Sequence, residues 1–170
     1  LLSFVDLAPS VLQMAGIEIP RHMQGKPINK FLHKSLRDYL VTASDRFDGQ
    51  YDRVRAIQDK RFKLIRSFFP EKSHHLDIKY RKNMPMMQKL LKLYLNGQLN
   101  QDQQNWFGLK EEYEFYDLKL DPFEMKNQIN NPYYKEHIQL LKVELEKWML
   151  STNDLGAVPE QVLIKQAISN

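Results

Sequence analysis

The stretch from Asn131 to Trp148 limits the fold more than any other part of the sequence. Asn131 is a natural helix cap, and Pro132 suits the first helical position, where its missing N–H is not needed. Tyr134, Ile138, Leu141, Leu145 and Trp148 then recur at spacings of four and three. They form one apolar stripe on a helix of about 17 residues, enough to cover one face of a small sheet. A helix of this kind gains most of its stability from what it packs against. The rest of the chain must therefore supply a sheet with an apolar face.

Strand signals are present upstream. Asp38 to Ala43 reads as a strand, followed by a charged loop from Ser44 to Asp52. Arg53–Ile57 and Phe62–Phe68 read as a hairpin around the turn Gln58–Arg61. Alternation pairs Val54 and Ala56 with Phe62 and Leu64 on one face. Arg53, Arg55 and Ile57 then share the other face with Lys63 and Ile65. Glu112 to Leu118 is a further strand, and Asp121-Pro122 turns the chain.

Near the start, Asp6 can cap a short helix with Pro9 in its first turn. Leu7, Val11, Leu12 and Ala15 make its stripe, and Gly16 is the left-handed stop. Residues 17–37 read as irregular, anchored by Ile28, Phe31 and Leu32. Residues 84–96 read as a helix ended by Gly97, and the tail after Asn153 as irregular. The fold class expected is α+β: a small antiparallel sheet of about three to four strands, a long C-terminal helix on one face, and a short helix in front.

Composition narrows the function classes. Lys and Arg number 25 against 21 Asp and Glu, a formal net charge of +4. That is too weak and too evenly mixed to indicate nucleic acid. No apolar run reaches the roughly 20 residues needed to cross a bilayer. Cysteine is absent, so there is no disulfide framework, thiolate metal site or cysteine nucleophile.

Several polar groups invite a functional reading. His74-His75 could suggest a metal pair, but adjacent histidines without further ligands read better as a polar loop. Glu111, Glu112 and Glu114 could suggest paired carboxylates, yet a solvated sheet face explains them better. Met84, Met86 and Met87 read as adaptable packing. Lys60, Arg61, Lys63 and Arg66 read as a solvated sheet edge. No catalytic and no metal-binding residue is assigned. The most distinctive cluster is Asp45-Arg46-Phe47-Asp48 with Arg53. Its guanidinium forks can take sulfate or carboxylate with two hydrogen bonds; a solvated rim with local ion pairs is the plainer alternative.

Three segments in order resemble one known family. They are Ser3-Phe4-Val5-Asp6-Leu7-Ala8-Pro9-Ser10-Val11-Leu12-Gln13-Met14-Ala15-Gly16 with Gln24-Gly25-Lys26, then Val54-Arg55-Ala56-Ile57 with Arg61-Phe62-Lys63-Leu64-Ile65-Arg66. The third is Glu114-Phe115-Tyr116-Asp117-Leu118, Asp121-Pro122-Phe123-Glu124 and Asn127. Together they resemble the C-terminal portion of type I, formylglycine-dependent sulfatases. The long insertion from Met84 to Gly108 and the end Glu146–Asp154 are most similar to the heparan N-sulfatase (sulfamidase)-like bacterial subgroup.

The resemblance implies an alkaline-phosphatase-like superfamily, with residues 1–37 closing the large domain and 38–170 forming the C-terminal subdomain. It implies a partner, the N-terminal catalytic domain, and a sulfated glycan substrate. The family nucleophile in Cys-x-Pro-Ser-Arg and its calcium ligands are absent from this sequence, so calcium is expected in the catalytic domain and no cofactor in this chain. Asp45, Arg46, Asp48 and Arg53 would contact substrate. The chain alone would be inactive, would expose apolar surface at Leu1, Leu2, Phe4 and Val5, and would self-associate or bind the missing domain. Periplasmic or secreted localisation is likewise the family's implication only. The competing reading is a stand-alone, non-catalytic module that binds anionic glycans or a protein.

Overall fold

Four strands and six helices follow one another in the computed structural model, which describes residues 1–28 and 37–169. Helix α1 (Leu7–Met14) comes first. A meander follows: β1 (Leu40–Phe47), β2 (Gln50–Gln58) and β3 (Phe62–Ser67). An insertion holds α2 (Lys79–Lys82), α3 (Pro85–Leu95) and α4 (Gln101–Asn105), and β4 (Tyr113–Asp117) completes the sheet. Then come α5 (Lys135–Ser151) and α6 (Glu160–Ile168). The order is β1-β2-β3-β4 with every neighbouring pair antiparallel, so the architecture is α+β.

The stripe on α5 does what its spacing predicts. Tyr134, Ile138, Leu141 and Leu145 are buried against Ile57, Phe62, Leu64 and Phe115, and Trp148 packs at the border. Phe62 sits 5.5 Å from Phe115 and 5.7 Å from Tyr134, ring centre to ring centre. One helix on one sheet face is therefore the core of this part of the chain.

The hairpin register differs from expectation by one residue. Ile57 stands opposite Leu64, and Arg55 opposite Arg66. Arg55 and Ile57 thus share the helix face with Phe62 and Leu64, while Val54, Ala56, Lys63 and Ile65 face the other way. The turn is shorter than Gln58–Arg61, with the Asp59 carboxylate accepting from the Arg61 and Phe62 amides at 2.7 and 2.6 Å. A one-residue slip exchanges the faces of a whole strand.

Three further expectations change. The charged stretch 44–52 is not a loop: β1 runs on to Phe47 and β2 starts at Gln50. Asp48 takes a left-handed φ of 54° at the tight turn between them, which Asp tolerates better than most residues. β3 is interior, so Lys63 and Arg66 are not on an edge; Lys63 reaches Glu124 at 2.8 Å, and Arg66 lies over Phe68. The tail forms helix α6 where irregular chain was expected.

Gly16 and Gly97 end their helices at φ values of 70° and 65°, as their positions predict. Of the methionines in the insertion only Met87 is buried; Met84 and Met86 are exposed. Asp6 is fully buried, but its carboxylate does not cap α1. It accepts from the backbone N–H of Ser3 and Lys26, each at 2.8 Å, and from Arg37. The apolar residues around it point outward, with Phe4 88% exposed and Leu2, Val5, Leu7, Val11, Met14 and Ile17 also exposed. Ile28 is half-buried, whereas Phe31 and Leu32 lie outside the described residues.

The motif around Asn127 closes the free edge of β4. Asn127 Oδ1 accepts from the Phe115 N–H at 2.8 Å and the Ile129 N–H at 3.0 Å, and its amide donates to the Tyr113 carbonyl. The Gln128 N–H donates to the Phe115 carbonyl at 2.8 Å. Edge groups that would otherwise seek a partner chain are satisfied internally.

Candidate functional site

The β1–β2 hairpin carries the predicted polar cluster and is clasped by the chain after α5. Its register slips between Ser44 and Arg46, so that Asp52 and Arg53 together stand opposite Asp45. Such a bulge re-aims side chains. Asp52 turns towards the outer face of the sheet, and Arg53 towards the C-terminal segment.

Arg55 is the centre of the cluster, although it was not among the predicted site residues. It is 1% exposed. Its Nε and Nη2 donate to the two oxygens of Asp154, each at 2.8 Å. Its Nη1 donates to the Ser44 carbonyl, and Asp45 Oδ1 lies 2.8 Å from Nη2. These carboxylates satisfy a cation that could not otherwise be buried. The Asp154 hydrogen bond raises the pKa of Arg55 above its usual range. The same bond holds the Asp154 carboxyl below the ordinary carboxylate value.

The four predicted residues lie close together, in different roles. Arg46 forms a two-point pair with Glu160 at the start of α6, one contact being 3.0 Å. Arg53 donates to the Gly156 carbonyl, and its guanidinium carbon lies 3.8 Å from the Phe68 ring centre. Asp45 buttresses Arg55, and Asp48 sits exposed at the hairpin tip. Three arginines from one hairpin thus grip Asp154, Gly156 and Glu160. Arg55 could have been found from the Arg53-Arg55-Ile57 alternation once the register was known. Its partner Asp154 stood in a stretch with no periodic signal.

The other polar candidates resolve differently. His74 and His75 part company: His74 Nε2 is 3.7 Å from Glu114 Oε1, and His75 packs against Trp106 and Phe107. Burial lowers the pKa of His75. Glu114 is not on a solvated face; it is buried and accepts from the Tyr116 hydroxyl at 2.6 Å. Burial, with that bond, drives the Tyr116 phenol far above its ordinary range. Among the described residues no group of three or more His, Cys, Asp or Glu side chains could hold a metal ion, and no helix is long and apolar enough to cross a membrane. The described carboxylates do not form an oxygen cage for calcium, and no step through calcium is assigned to them.

A meander sheet is backed by one long helix, and its arginine-bearing hairpin is clasped by the segment that follows. Residues 1–105 match the family described as N-sulphoglucosamine sulphohydrolase, C-terminal, and the chain belongs to that family. An ulvan-active sulfatase of Formosa agariphila is 42% identical over 167 residues, covering 98% of this chain and 28% of the relative. The chain thus spans little more than a quarter of that protein. A solved 2-O GAG sulfatase superposes with a TM-score of 0.58 at 18% identity, covering 88% of this chain and 25% of the other. A protein solved with its substrate D-glucosamine-2-N,6-O-disulfate superposes with the same TM-score at 22% identity, covering 91% and 25%. The two structures share the fold.

Proposed function

We propose that this chain completes a sulfatase acting on sulfated glycans, either sulfate esters or N-sulfate groups, and forms one wall of its substrate cleft. The family match supports the hydrolase class, and the similarity to an ulvan-active sulfatase supports a polysaccharide substrate. The single observation that carries the wall assignment is the hairpin of Arg46, Arg53 and Arg55, held by a C-terminal clasp. Arg55 is buried and spent on Asp154 and Asp45, so it holds the hairpin in place, whereas Arg46 pairs with Glu160 at the surface and can exchange that carboxylate for a sulfate held by two hydrogen bonds. Arg46 is the outermost of the three and remains partly exposed, so it is the group an anionic sugar reaches first.

Nucleophile and metal chemistry belong to a catalytic domain that precedes this part. The exposed apolar residues from Leu2 to Ile17 support docking to it, since a patch of this extent is typical of a protein interface.

The test uses the intact enzyme and a sulfated oligosaccharide. Arg46→Ala should raise KM several-fold with kcat nearly unchanged. Glu160→Gln removes the competing carboxylate and should lower KM or leave it as it was. If both substitutions raised KM alike, the pair would be a fastening and the substrate-contact reading would fall.

A further inference from the structure

The outer face of the sheet, opposite α5, holds a cavity apart from the arginine contacts, lined in part by Asp52 and Val54 of β2. Its volume is about 710 Å³, within the range of sites for small organic ligands. Val54, Ile65, Glu114 and Tyr116 form its floor, and Trp106 and Lys110 stand at its wall. The insertion between β3 and β4 is drawn over the sheet by its own hydrogen bonds, His75 N–H to the Trp106 carbonyl at 2.8 Å and His74 N–H to the Gly108 carbonyl at 3.3 Å.

Asp52 lines this cavity with its side chain nine-tenths buried. Oδ2 accepts from Lys110 Nζ at 2.5 Å, while Oδ1 is buried with no hydrogen-bond partner among the described residues. A buried carboxylate oxygen left without a donor is costly and marks a place where a donor belongs. The charges around it define the ligand's sign. Asp102 and Glu111 join Asp52 and Glu114, against Lys110, already matched by Asp52, and His74 beside Glu114; Glu124, also at the cavity, is matched by Lys63. A sulfate or carboxylate would meet net repulsion here. The indole of Trp106 supplies a flat apolar wall.

We propose that this cavity binds an unsulfated sugar unit, whose hydroxyl or ammonium donors reach Asp52 Oδ1 and whose C–H face lies against Trp106. It lies on the face of β2 opposite Arg55 and is opposite to the arginine cluster in charge preference. The choice of a sugar over another polyol rests on the glycan reading above, while the donor-rich, non-anionic character of the ligand rests on the cavity alone.

The test needs no catalysis. The full chain, ¹⁵N-labelled, is titrated with glucosamine, N-acetylglucosamine and N-sulfoglucosamine. Its two tryptophans give two indole N–H signals. The Trp106 signal should move with both unsulfated sugars, the Trp148 signal on α5 should not, and the N-sulfated sugar should bind about tenfold more weakly, as like-charge repulsion requires. Asp52→Asn retains an acceptor for Lys110 and should weaken the unsulfated sugars by about tenfold; Trp106→Leu, at a partly exposed position, should do the same if the first variant folds poorly. A still Trp106 signal, equal binding of the N-sulfated sugar, or undiminished binding in a folded variant overturns the proposal. Failure here leaves the hydrolase reading untouched, because no turnover is measured.

Discussion

Arg55 and Asp154 are 99 positions apart in sequence and are joined by two hydrogen bonds of 2.8 Å. The pair ties the second strand to the chain that leaves α5. Asp154 is itself set by its bond from the Gly156 N–H at 3.0 Å. Without Asp154 the buried guanidinium keeps only Asp45, itself half exposed, as a charged partner. Asp154→Ala should therefore cost about 3 kcal/mol, read as a lower denaturation midpoint. A loss below a few tenths of a kcal/mol would mean that Asp45 alone suffices.

Asn127 should be similarly intolerant. Replacing it by Ala strands the Phe115 N–H, which lies in the core strand beside a fully buried ring. An unpaired buried N–H costs about 1–3 kcal/mol. Asn127→Asp keeps the acceptor and should recover part of that. Parallel denaturation of both variants tests the order.

Asp117 gives a signed pH dependence. The Arg61 hydrogen bond, opposed by burial, takes its carboxyl below the ordinary value of 3.8. Tyr134 OH and the Lys119 N–H add further bonds to the charged form. In the unfolded chain the group picks up its proton first as pH falls. Its contribution is therefore complete above the ordinary value and is lost as pH falls through the folded one. Stability curves for the native chain and Asp117→Asn, taken from pH 6 to pH 2, should converge at the acid end. Curves that stay parallel would remove this role.

Much of the fold was legible because the responsible signals were periodic or punctuated. The α5 stripe, Pro132, Gly16 and Gly97 act locally, and local sterics decide them. Register was harder. Two strands with apolar residues in both phases, such as Val54 and Ile57, can be paired either way, and only the position of α5 breaks the tie. The clasp was harder still, since Asp154, Gly156 and Glu160 show no pattern until Arg46, Arg53 and Arg55 are brought to them. The polar motif near the start was visible as a string, but its hub was not: Asp6 acts on Lys26 and Arg37, far along the chain.

Gly25 explains one letter of that string. A Cβ there would run into the Val5 carbonyl oxygen and stand 2.9 Å from Pro9 Cγ. Gly25→Ala should thus push the 25–26 segment off Asp6, at a cost of about 1–3 kcal/mol. Hydrogen exchange at the Lys26 amide should speed up in the variant. Unchanged exchange would show that the segment moves aside freely.

The long insertion leaves from β3 and returns to β4, which are immediate neighbours in the sheet. Its two ends are held side by side by the β3–β4 pairing itself. The outer cavity and the arginine cluster share β2, with Asp52 and Val54 turned to one face and Arg55 to the other, and only the cavity also draws on the insertion. A substitution in the insertion thus reaches the cavity directly and the arginine contacts only through β2.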